Sequence, residues 1–443
     1  MADDSRSDPS GGERPQAFAL LDESNDAATR LEGVEALGNP SSSMRGSERR
    51  IVDRLLRVVL TDDDPRVRAE AIDALYFHGD RYVEELVSRI AAAVRRRDSA
   101  SDPRTVFVRW LTSDNAAYRM VGATGLGAVD PSDTRGGSDA ASSASAPSNA
   151  ETPDATARLR DAFDDTDARV RARAVRSYAA LGGKQIAPLR PLLGTPNALV
   201  RRAAVDALVS IGTPDATDLL ATAADDGGNR LRRTVVERLH RLDRPESAEI
   251  LLDAVRDPSP AVRRAAAASL ARLVAEGDAV RGRDVRERLL ADRAARSDAG
   301  SDRGDDRTVT RLFYEVASGE PSDRVTPPTE RHAMWLCCEL VEHGEAGSGP
   351  GDEAVPWLLD ALAHDDPHAA DIAAAYLPRL DAPDLAGAVR ALAGDDEADP
   401  DARERARSVL KRLKRQTAAS AADRSIEYVY VRRPADYTEK HAK

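Results

Sequence analysis

Residues 170–181, Val-Arg-Ala-Arg-Ala-Val-Arg-Ser-Tyr-Ala-Ala-Leu, carry a pattern that the chain repeats three more times. Apolar side chains stand at the first position and at offsets of four, five, eight and eleven. They therefore share one stripe of a helix with about 3.6 residues per turn. The copies begin at Val170, Val200, Leu231 and Val262, and the arginine after each start recurs at intervals of 30, 31 and 31 residues. A fixed period of this length is typical of stacked structural repeats.

Weaker copies of the pattern lie on both sides of this regular block. They begin at Thr29, Val67, Tyr118, Glu330, Ala369 and Ala402. In the last copy Arg407 takes a position that is apolar in the other copies, as expected of a terminal repeat with one face in water.

The chain is accordingly predicted to contain seven segments. They are an acidic disordered N-terminus (1–24), N-terminal repeats (25–131), a low-complexity linker (132–155), central regular repeats (156–293), a polar insert (294–307), C-terminal repeats (308–415) and a tail (416–443).

The composition restricts the class of protein. The formal charge is −12 and the sequence pI is about 5.3, and only five lysines occur, so arginine supplies nearly all the positive charge. An acid excess with so little lysine resembles proteins of salt-loving archaea, where salt screens surface pairs; a GC-rich genome would also favour arginine.

The adjacent Cys337 and Cys338 indicate a reducing interior. No apolar run approaches the roughly 18 residues of a membrane span, and Met1–Asp4 lacks a basic leader, so a cytoplasmic location is expected.

The stretch Asp64–Leu75 nearly spells Asp-Pro-x-Val-Arg-x-x-Ala-x-x-Ala-Leu, and in this it resembles the HEAT repeat. The short period resembles the subtype named after phycobilisome lyases, and the resemblance covers roughly residues 25 to 413. It implies an all-α fold: an α-solenoid of antiparallel helix pairs, with the second helices on the concave side. It also implies that the repeat arginines bond a neighbouring repeat's turn or its aspartate, such as Asp73 or Asp206. We expect five arginines to be structural in this sense: Arg68, Arg171, Arg201, Arg232 and Arg263.

Chemistry-bearing motifs are sparse. Deoxyhypusine hydroxylases of this fold hold iron with His-Glu pairs, and the sequence contains no His-Glu dipeptide. No phosphate-binding glycine loop, Ser/His/Asp order or zinc-ligand spacing occurs. The run His364–His368 offers metal-ligand types, but its Asp-Asp-Pro is a repeat turn, and Cys338 falls on the core stripe. We therefore predict no catalytic residue, no metal site and no cofactor, with a phycobilin-lyase-like enzyme as an alternative.

The positions off the apolar stripe suggest a binding surface. Residues 156–294 hold 25 Arg and Lys against 20 Asp and Glu, a net charge of +5 that leaves −17 for the remainder. Such a basic centre would suit an acidic protein partner. The arginines expected to contact it are Arg173, Arg176, Arg202, Arg233, Arg241, Arg264 and Arg272. Alternatively, these arginines pair with Asp206, Glu237 and neighbouring turns as a solvated lattice.

The C-terminal tail is a second candidate partner site. Its run Ile426–Val431 alternates β-branched and aromatic residues as a strand does. The run would add a strand to a partner's sheet or cover the last helix pair. The candidate contact residues there are Tyr428, Tyr430, Arg432 and Arg433.

Taken together, the sequence predicts a non-enzymatic adaptor that binds proteins through its concave face and its tail. If the salt-loving archaeal resemblance holds, similar repeat proteins accompany taxis-signalling and motility clusters. Nucleic acid is the alternative partner, because related repeat glycosylases hold DNA in a basic groove. Against it, the basic block has few aromatic side chains for base stacking. Neither a membrane nor a small-molecule substrate is expected.

Overall fold

The computed structural model describes residues 13–39, 48–98, 102–129, 151–298, 303–319, 325–343, 351–380, 382 and 384–423. Within these residues all regular structure is helical and no strand occurs, which confirms the predicted all-α solenoid class. The predicted strand-like run 426–431 lies outside the described residues. The helices divide between two compact units, residues 1–238 and 239–443.

The first unit contains helices α1 to α12 and most of α13. Their bounds are α1 (Glu13–Leu20), α2 (Ala27–Gly38), α3 (Glu48–Thr61), α4 (Pro65–His78), α5 (Asp80–Arg97), α6 (Arg104–Leu111), α7 (Ala116–Ala128), α8 (Glu151–Asp161), α9 (Ala168–Ala180), α10 (Arg190–Leu193), α11 (Ala198–Ile211), α12 (Pro214–Asp225) and α13 (Asn229–Leu239).

The second unit contains nine further helices within the described residues. Their bounds are α14 (Pro245–Ala254), α15 (Pro260–Glu276), α16 (Gly282–Asp298), α17 (Arg303–Ala317), α18 (Pro327–Glu342), α19 (Gly351–Asp360), α20 (Pro367–Tyr376), α21 (Leu385–Gly394) and α22 (Pro400–Asp423).

Each unit is a row of helix pairs in which the second helix of one pair packs on the second helix of the next. In the first unit α2 packs on α4, α4 on α7, α7 on α9 and α9 on α11. In the second unit α15 packs on α18, α18 on α20 and α20 on α22. The core thus grows by layers between consecutive pairs, as in solenoid proteins.

The apolar stripe supplies these layers. In α11 the side chains of Val200, Ala204, Val205 and Leu208 have no solvent exposure. In the other three copies of the regular block the stripe is also buried at offsets zero, four, five and eight, except at Leu231, which is half-buried. The small alanines at offset four allow close approach of neighbouring backbones, which suits thin helix layers.

Turns between paired helices end on a side-chain cap. The Asp64 carboxylate accepts hydrogen bonds from the N–H groups of Arg66 and Val67 at 2.7 and 3.4 Å, and Pro65 occupies the first helical position. Asp167, Asn197 and Asp366 cap α9, α11 and α20 in the same way. Such caps satisfy N–H groups that the first helical turn leaves without a partner.

The repeat arginine binds the turn of its own helix pair. In α9 the Nη1 of Arg171 donates to the carbonyl oxygens of Asp165 and Thr166, at 2.6 and 3.1 Å. The same bonds, to carbonyls six or five residues upstream, are made by Arg30, Arg68, Arg119, Arg201, Arg232 and Arg263. Turn carbonyls next to the core need such partners. The arginines expected to be structural therefore have a structural role, but they bind the turn of their own helix pair and not the turn of a neighbouring repeat. They are Arg68, Arg171, Arg201, Arg232 and Arg263.

Two of these arginines also bind a carboxylate of the next repeat. Arg119 forms a bidentate pair with the Asp165 carboxylate, with Nε–Oδ2 2.7 Å and Nη2–Oδ1 2.9 Å. Arg30 forms the same bidentate pair with the Asp62 carboxylate, with Nε–Oδ2 2.8 Å and Nη2–Oδ1 2.9 Å. A planar guanidinium can serve two backbone carbonyls and one carboxylate at once because its donors form a fixed fork.

The two aspartates predicted as partners of the repeat arginines bind other arginines instead. Asp73 binds Arg169 at 2.7 Å, and Asp206 binds Arg238 at 3.3 Å. Both aspartates lie about two turns into a helix, whereas the repeat arginine points back toward the turn before its own helix.

Helices occupy parts of four segments that were predicted to be an N-terminus, linker, insert or tail without repeats. Helix α1 lies within 1–24, predicted disordered, because Ala17 and Leu21 are buried. Helix α8 begins inside the predicted linker 132–155, and α16 and α17 occupy both ends of the predicted insert 294–307. Helix α22 extends to Asp423, beyond the predicted start of the tail at residue 416. Helix α5 is an additional helix against α4 and α7. Its one Val-Arg pair, Val94-Arg95, lies near its C-terminal end and starts no copy of the pattern.

We predict that Arg119→Ala lowers the free energy of unfolding by about 2–4 kcal/mol. The change removes a partner from Asp165, whose side chain is 10% exposed, and leaves a buried charge and two turn carbonyls unpaired. The matched control is Arg233→Ala, which breaks an exposed pair with Glu237 and should cost less than about 0.5 kcal/mol. Urea unfolding followed by circular dichroism measures both; equal costs would contradict the role of the inter-repeat pair.

The same pair predicts a pH dependence of stability. Burial raises the pKa of the Asp165 carboxyl, but hydrogen bonds from Arg119 and the Asp167 N–H outweigh it, so its pKa lies below the ordinary value of 3.8. A lowered folded-state pKa stabilises the protein above the unfolded-state pKa, and this contribution disappears as pH falls through the folded-state value. The stability advantage of the wild type over Asp165→Asn should therefore be largest near pH 7 and shrink below about pH 4. Urea midpoints at several pH values test this, and an advantage that stays constant with pH would refute it.

Candidate protein-binding surfaces

Two of the arginines predicted to contact a partner form ion pairs within the first unit. Arg173 on α9 is 7% exposed, and its Nη2 lies 2.7 Å from Asp80 Oδ1. Arg176 reaches the other oxygen of the same carboxylate at 3.4 Å. Burial lowers the pKa of the Arg173 guanidinium, and the Asp80 charge offsets this only in part. Arg173 therefore ties α9 to the start of α5, and it is too buried to contact a partner.

Three more of the predicted arginines lie in pairs at the surface. Arg233 and Arg272 bind the glutamates four residues along their own helices, at 2.7 and 2.9 Å. Arg264 binds Glu315 of α17 at 3.1 Å. Arg241 is exposed and also interacts within the chain.

Arg202 differs from the rest of this set. It is exposed on α11, and within the described residues it alone of the seven has no hydrogen bond or ion pair. The tail residues Tyr428, Tyr430, Arg432 and Arg433 lie outside the described residues. Six of the seven predicted contact arginines thus interact within the chain, and Arg202 is the exposed member of this set that no described residue pairs with.

The run His364–His368 forms a turn. His364 Nε2 lies 2.6 Å from the carbonyl oxygen of Ala317, and its Nδ1 accepts the N–H of Asp366 at 2.9 Å. His364 thus replaces the turn aspartate of other repeats, such as Asp62, whose carboxylate accepts the N–H two residues along. Asp366 is bound to Arg331 at 2.6 Å. In the part of the chain that the structure describes, no three His, Cys, Asp or Glu side chains form a metal-binding group.

Cys337 and Cys338 lie side by side in α18 without solvent exposure. Burial raises the pKa of the Cys337 thiol to about 12, and burial together with nearby negative charge raises that of Cys338 well above its usual range. A thiol reacts as the thiolate, so neither cysteine has the environment of a redox site.

We predict that both thiols are inert to Ellman's reagent in the folded protein and react once it unfolds in urea. The reason is that neither reagent nor solvent reaches α18 until the layer opens. An added surface cysteine, Arg202→Cys, serves as the positive control and should react at once in the native state. Rapid native reaction of two thiols in the wild type would show that the α18 layer is not packed as described.

One open groove in the first unit was not predicted from the sequence. It has a volume of about 710 Å³ and lies between the end of α5, helix α6 and the α3–α4 turn. Aliphatic side chains and one indole line it: Val59, Leu60, Ile90, Val94, Val106 and Trp110. Arg68, Arg97 and Arg109 also line it, against the single carboxylate of Asp114.

A second groove, of about 520 Å³, lies in the second unit between the α15–α16 connection and α18. Trp335, Val274 and Ile372 supply its apolar lining. Its Arg331 is already bound to Asp366, and His332 Nδ1 lies 2.8 Å from the Pro328 carbonyl. Arg281, which is exposed, also lines this groove.

Sequence features did mark the first groove, although only in retrospect. Trp110 is one of three tryptophans in the chain, and Arg95–Arg97 is a run of three arginines. Neither feature falls on the repeat pattern, so the repeat period that predicted the fold gave no indication of the groove.

Comparison with known proteins places the most regular block of helices in a family. Two family models match the sequence, one for HEAT repeats over residues 153–239 and one for a single HEAT repeat over residues 249–276. Both segments are similar to HEAT repeats. They correspond to helices α8 to α15 and contain the four copies of the opening pattern. Assignment to the phycobilisome-lyase subtype and a salt-loving source stay predictions.

Solved structures similar to the chain include an engineered protein and the YibA protein of Escherichia coli. The engineered protein is 17% identical, with 91% of this chain and 99% of its own covered and a TM-score of 0.40. For YibA the values are 16%, 77%, 98% and 0.38. Human deoxyhypusine hydroxylase, solved with glycerol, is 18% identical over 60% of this chain and 98% of its own, with a TM-score of 0.28. A search of curated proteins found no match.

Within the described residues, no helix is both long and apolar enough to cross a membrane.

Proposed function

We propose that the chain is a non-enzymatic scaffold that binds other proteins along the exposed faces of its helix pairs. The observation that carries this proposal is the layered core. Each pair buries its apolar stripe only against the pairs next to it, so the outer faces are not needed for folding. HEAT repeats typically mediate protein–protein interaction, which supports the same function.

The charge of these faces favours acidic partners. The basic centre carries a net +5 within an acidic chain, and Arg202 offers a guanidinium that no described residue neutralises. Charge complementarity at such a surface steers association and selects against partners of like charge. The tail residues Tyr428, Tyr430, Arg432 and Arg433 are proposed as the second contact site. A role in taxis or motility stays a prediction.

The test is affinity purification of the tagged full-length chain from its native cells at native salt, with co-purifying proteins quantified by mass spectrometry. We predict that Arg202→Glu reduces at least one specific partner about tenfold, since reversing an exposed charge introduces repulsion. Deletion of 425–443 should reduce the partners that require the tail.

The matched control is Arg96→Glu, which reverses another exposed arginine without a partner among the described residues. It should leave the partner set unchanged. The proposal would be contradicted if the wild type had no specific partner. It would also be contradicted if Arg202→Glu and the deletion variant both kept the same partners as the wild type. Circular dichroism establishes that each variant is folded.

A further inference from the structure

From its lining, we infer that the groove between α5, α6 and the α3–α4 turn binds an acidic amphipathic segment of another protein. This inference rests on the proposed scaffold function and names one site and the chemistry of its ligand. Two features of the groove carry it: an apolar lining held rigidly in place, and arginines at the same groove that lack internal partners.

The apolar lining is held from below by a network of bonds. The ring of Trp110 meets that of Tyr118 edge to face, with centroids 4.9 Å apart. The Tyr118 hydroxyl donates to the Pro65 carbonyl at 3.0 Å and accepts from Arg68 Nε at 3.1 Å. Tyr118 is buried, so it anchors the half-buried indole to the start of α4. A rigid aromatic side chain in a concave site is typical of an interface anchor.

The groove also exposes an aliphatic side chain that the core does not use. Leu60 is 38% exposed and is one of two large apolar side chains exposed among the described residues. Beside it, Val94 and Val106 are half-buried. The groove volume of about 710 Å³ leaves room for the large apolar side chains of a peptide.

Arg97 and Arg109 line this groove without forming an ion pair with any described residue. Both are exposed, and neither has a hydrogen bond or ion pair with any residue that the structure describes. An exposed arginine can still form an ion pair. Arg283 is 76% exposed and Arg311 is 66% exposed, yet each binds a glutamate four residues along its helix.

The groove therefore presents positive charge beside an apolar surface in a chain of net charge −12. Carboxylates of a ligand would reach Arg97 and Arg109, while its apolar side chains would cover Trp110 and Leu60. Nucleic acid fits less well, because single strands need several aromatic stacking surfaces along a backbone-binding path. The groove lining contains one indole and one largely buried tyrosine among aliphatic side chains.

The experiment uses the full chain and a phage-displayed library of random twelve-residue peptides. Peptides enriched on the wild type should combine Asp or Glu with Leu, Phe or Trp. The best peptide is then synthesised with fluorescein, and its binding is measured by anisotropy. We expect the double variant Arg97→Glu/Arg109→Glu to weaken binding more than tenfold, and Leu60→Asp to weaken it similarly.

Arg96→Glu is the matched control, because it reverses an exposed arginine on the same helix that does not line the groove. It should change binding less than threefold. Binding by the wild type and Arg96→Glu should also weaken as salt rises, because the arginines remain exposed to screening.

Failure to enrich acidic peptides, or equal binding by all variants, would overturn the inference. Tighter binding of a fluorescein-labelled twenty-residue oligothymidine, lost in the double variant, would overturn it in favour of nucleic acid. The result for the groove can be told apart from the result for the proposed scaffold function. If native proteins still co-purify with Leu60→Asp while no acidic peptide binds the wild type, the groove assignment fails and the scaffold stands.

Discussion

The bond from a repeat arginine to the carbonyl oxygens of its own turn recurs from Arg30 to Arg263. A helix pair must reverse direction next to a dry core, and the reversal leaves carbonyl groups that need donors. The guanidinium supplies them from a fixed distance along the second helix, so the same bonds recur in one turn after another. Where the turn offers a carboxylate, as at Asp62 and Asp165, the arginine before it also links consecutive pairs.

That constraint explains how much of the fold was predictable. The offsets of the stripe and the Val-Arg pair specify a helix, its buried face and the position of the turn, all from local sequence. The acceptor of the arginine was predicted less well, since Asp73 and Asp206 share its repeat but lie beyond its reach. Helix α5 was missed because its Val-Arg pair, Val94-Arg95, lies near the end of the helix and starts no copy of the pattern. Its own stripe of Tyr82, Val83, Leu86 and Ile90 is buried all the same.

The candidate surfaces were harder to predict because they depend on which charges meet after folding. Arg233 and Arg272 read from the sequence as exposed, and their glutamate partners four residues away were visible there. The pairing of Arg173 with Asp80, 93 residues upstream, was not. The groove at Trp110 joins parts of α3, α4, α5, α6 and α7, and no single stretch of sequence contains it. The repeat period thus encodes the scaffold, while departures from it supply the surfaces that distinguish this chain.

The central claim is that the stability of each helix pair depends on the arginine-bound turns of the neighbouring pairs. Native-state hydrogen–deuterium exchange of Arg171→Ala, resolved by mass spectrometry, tests it most directly. Loss of the bonds to Asp165 and Thr166 should accelerate exchange in α8 and α9 and in the adjoining α7 and α11, while α20 and α22 keep wild-type rates. Unchanged exchange throughout, or an equal increase in both units, would contradict the claim.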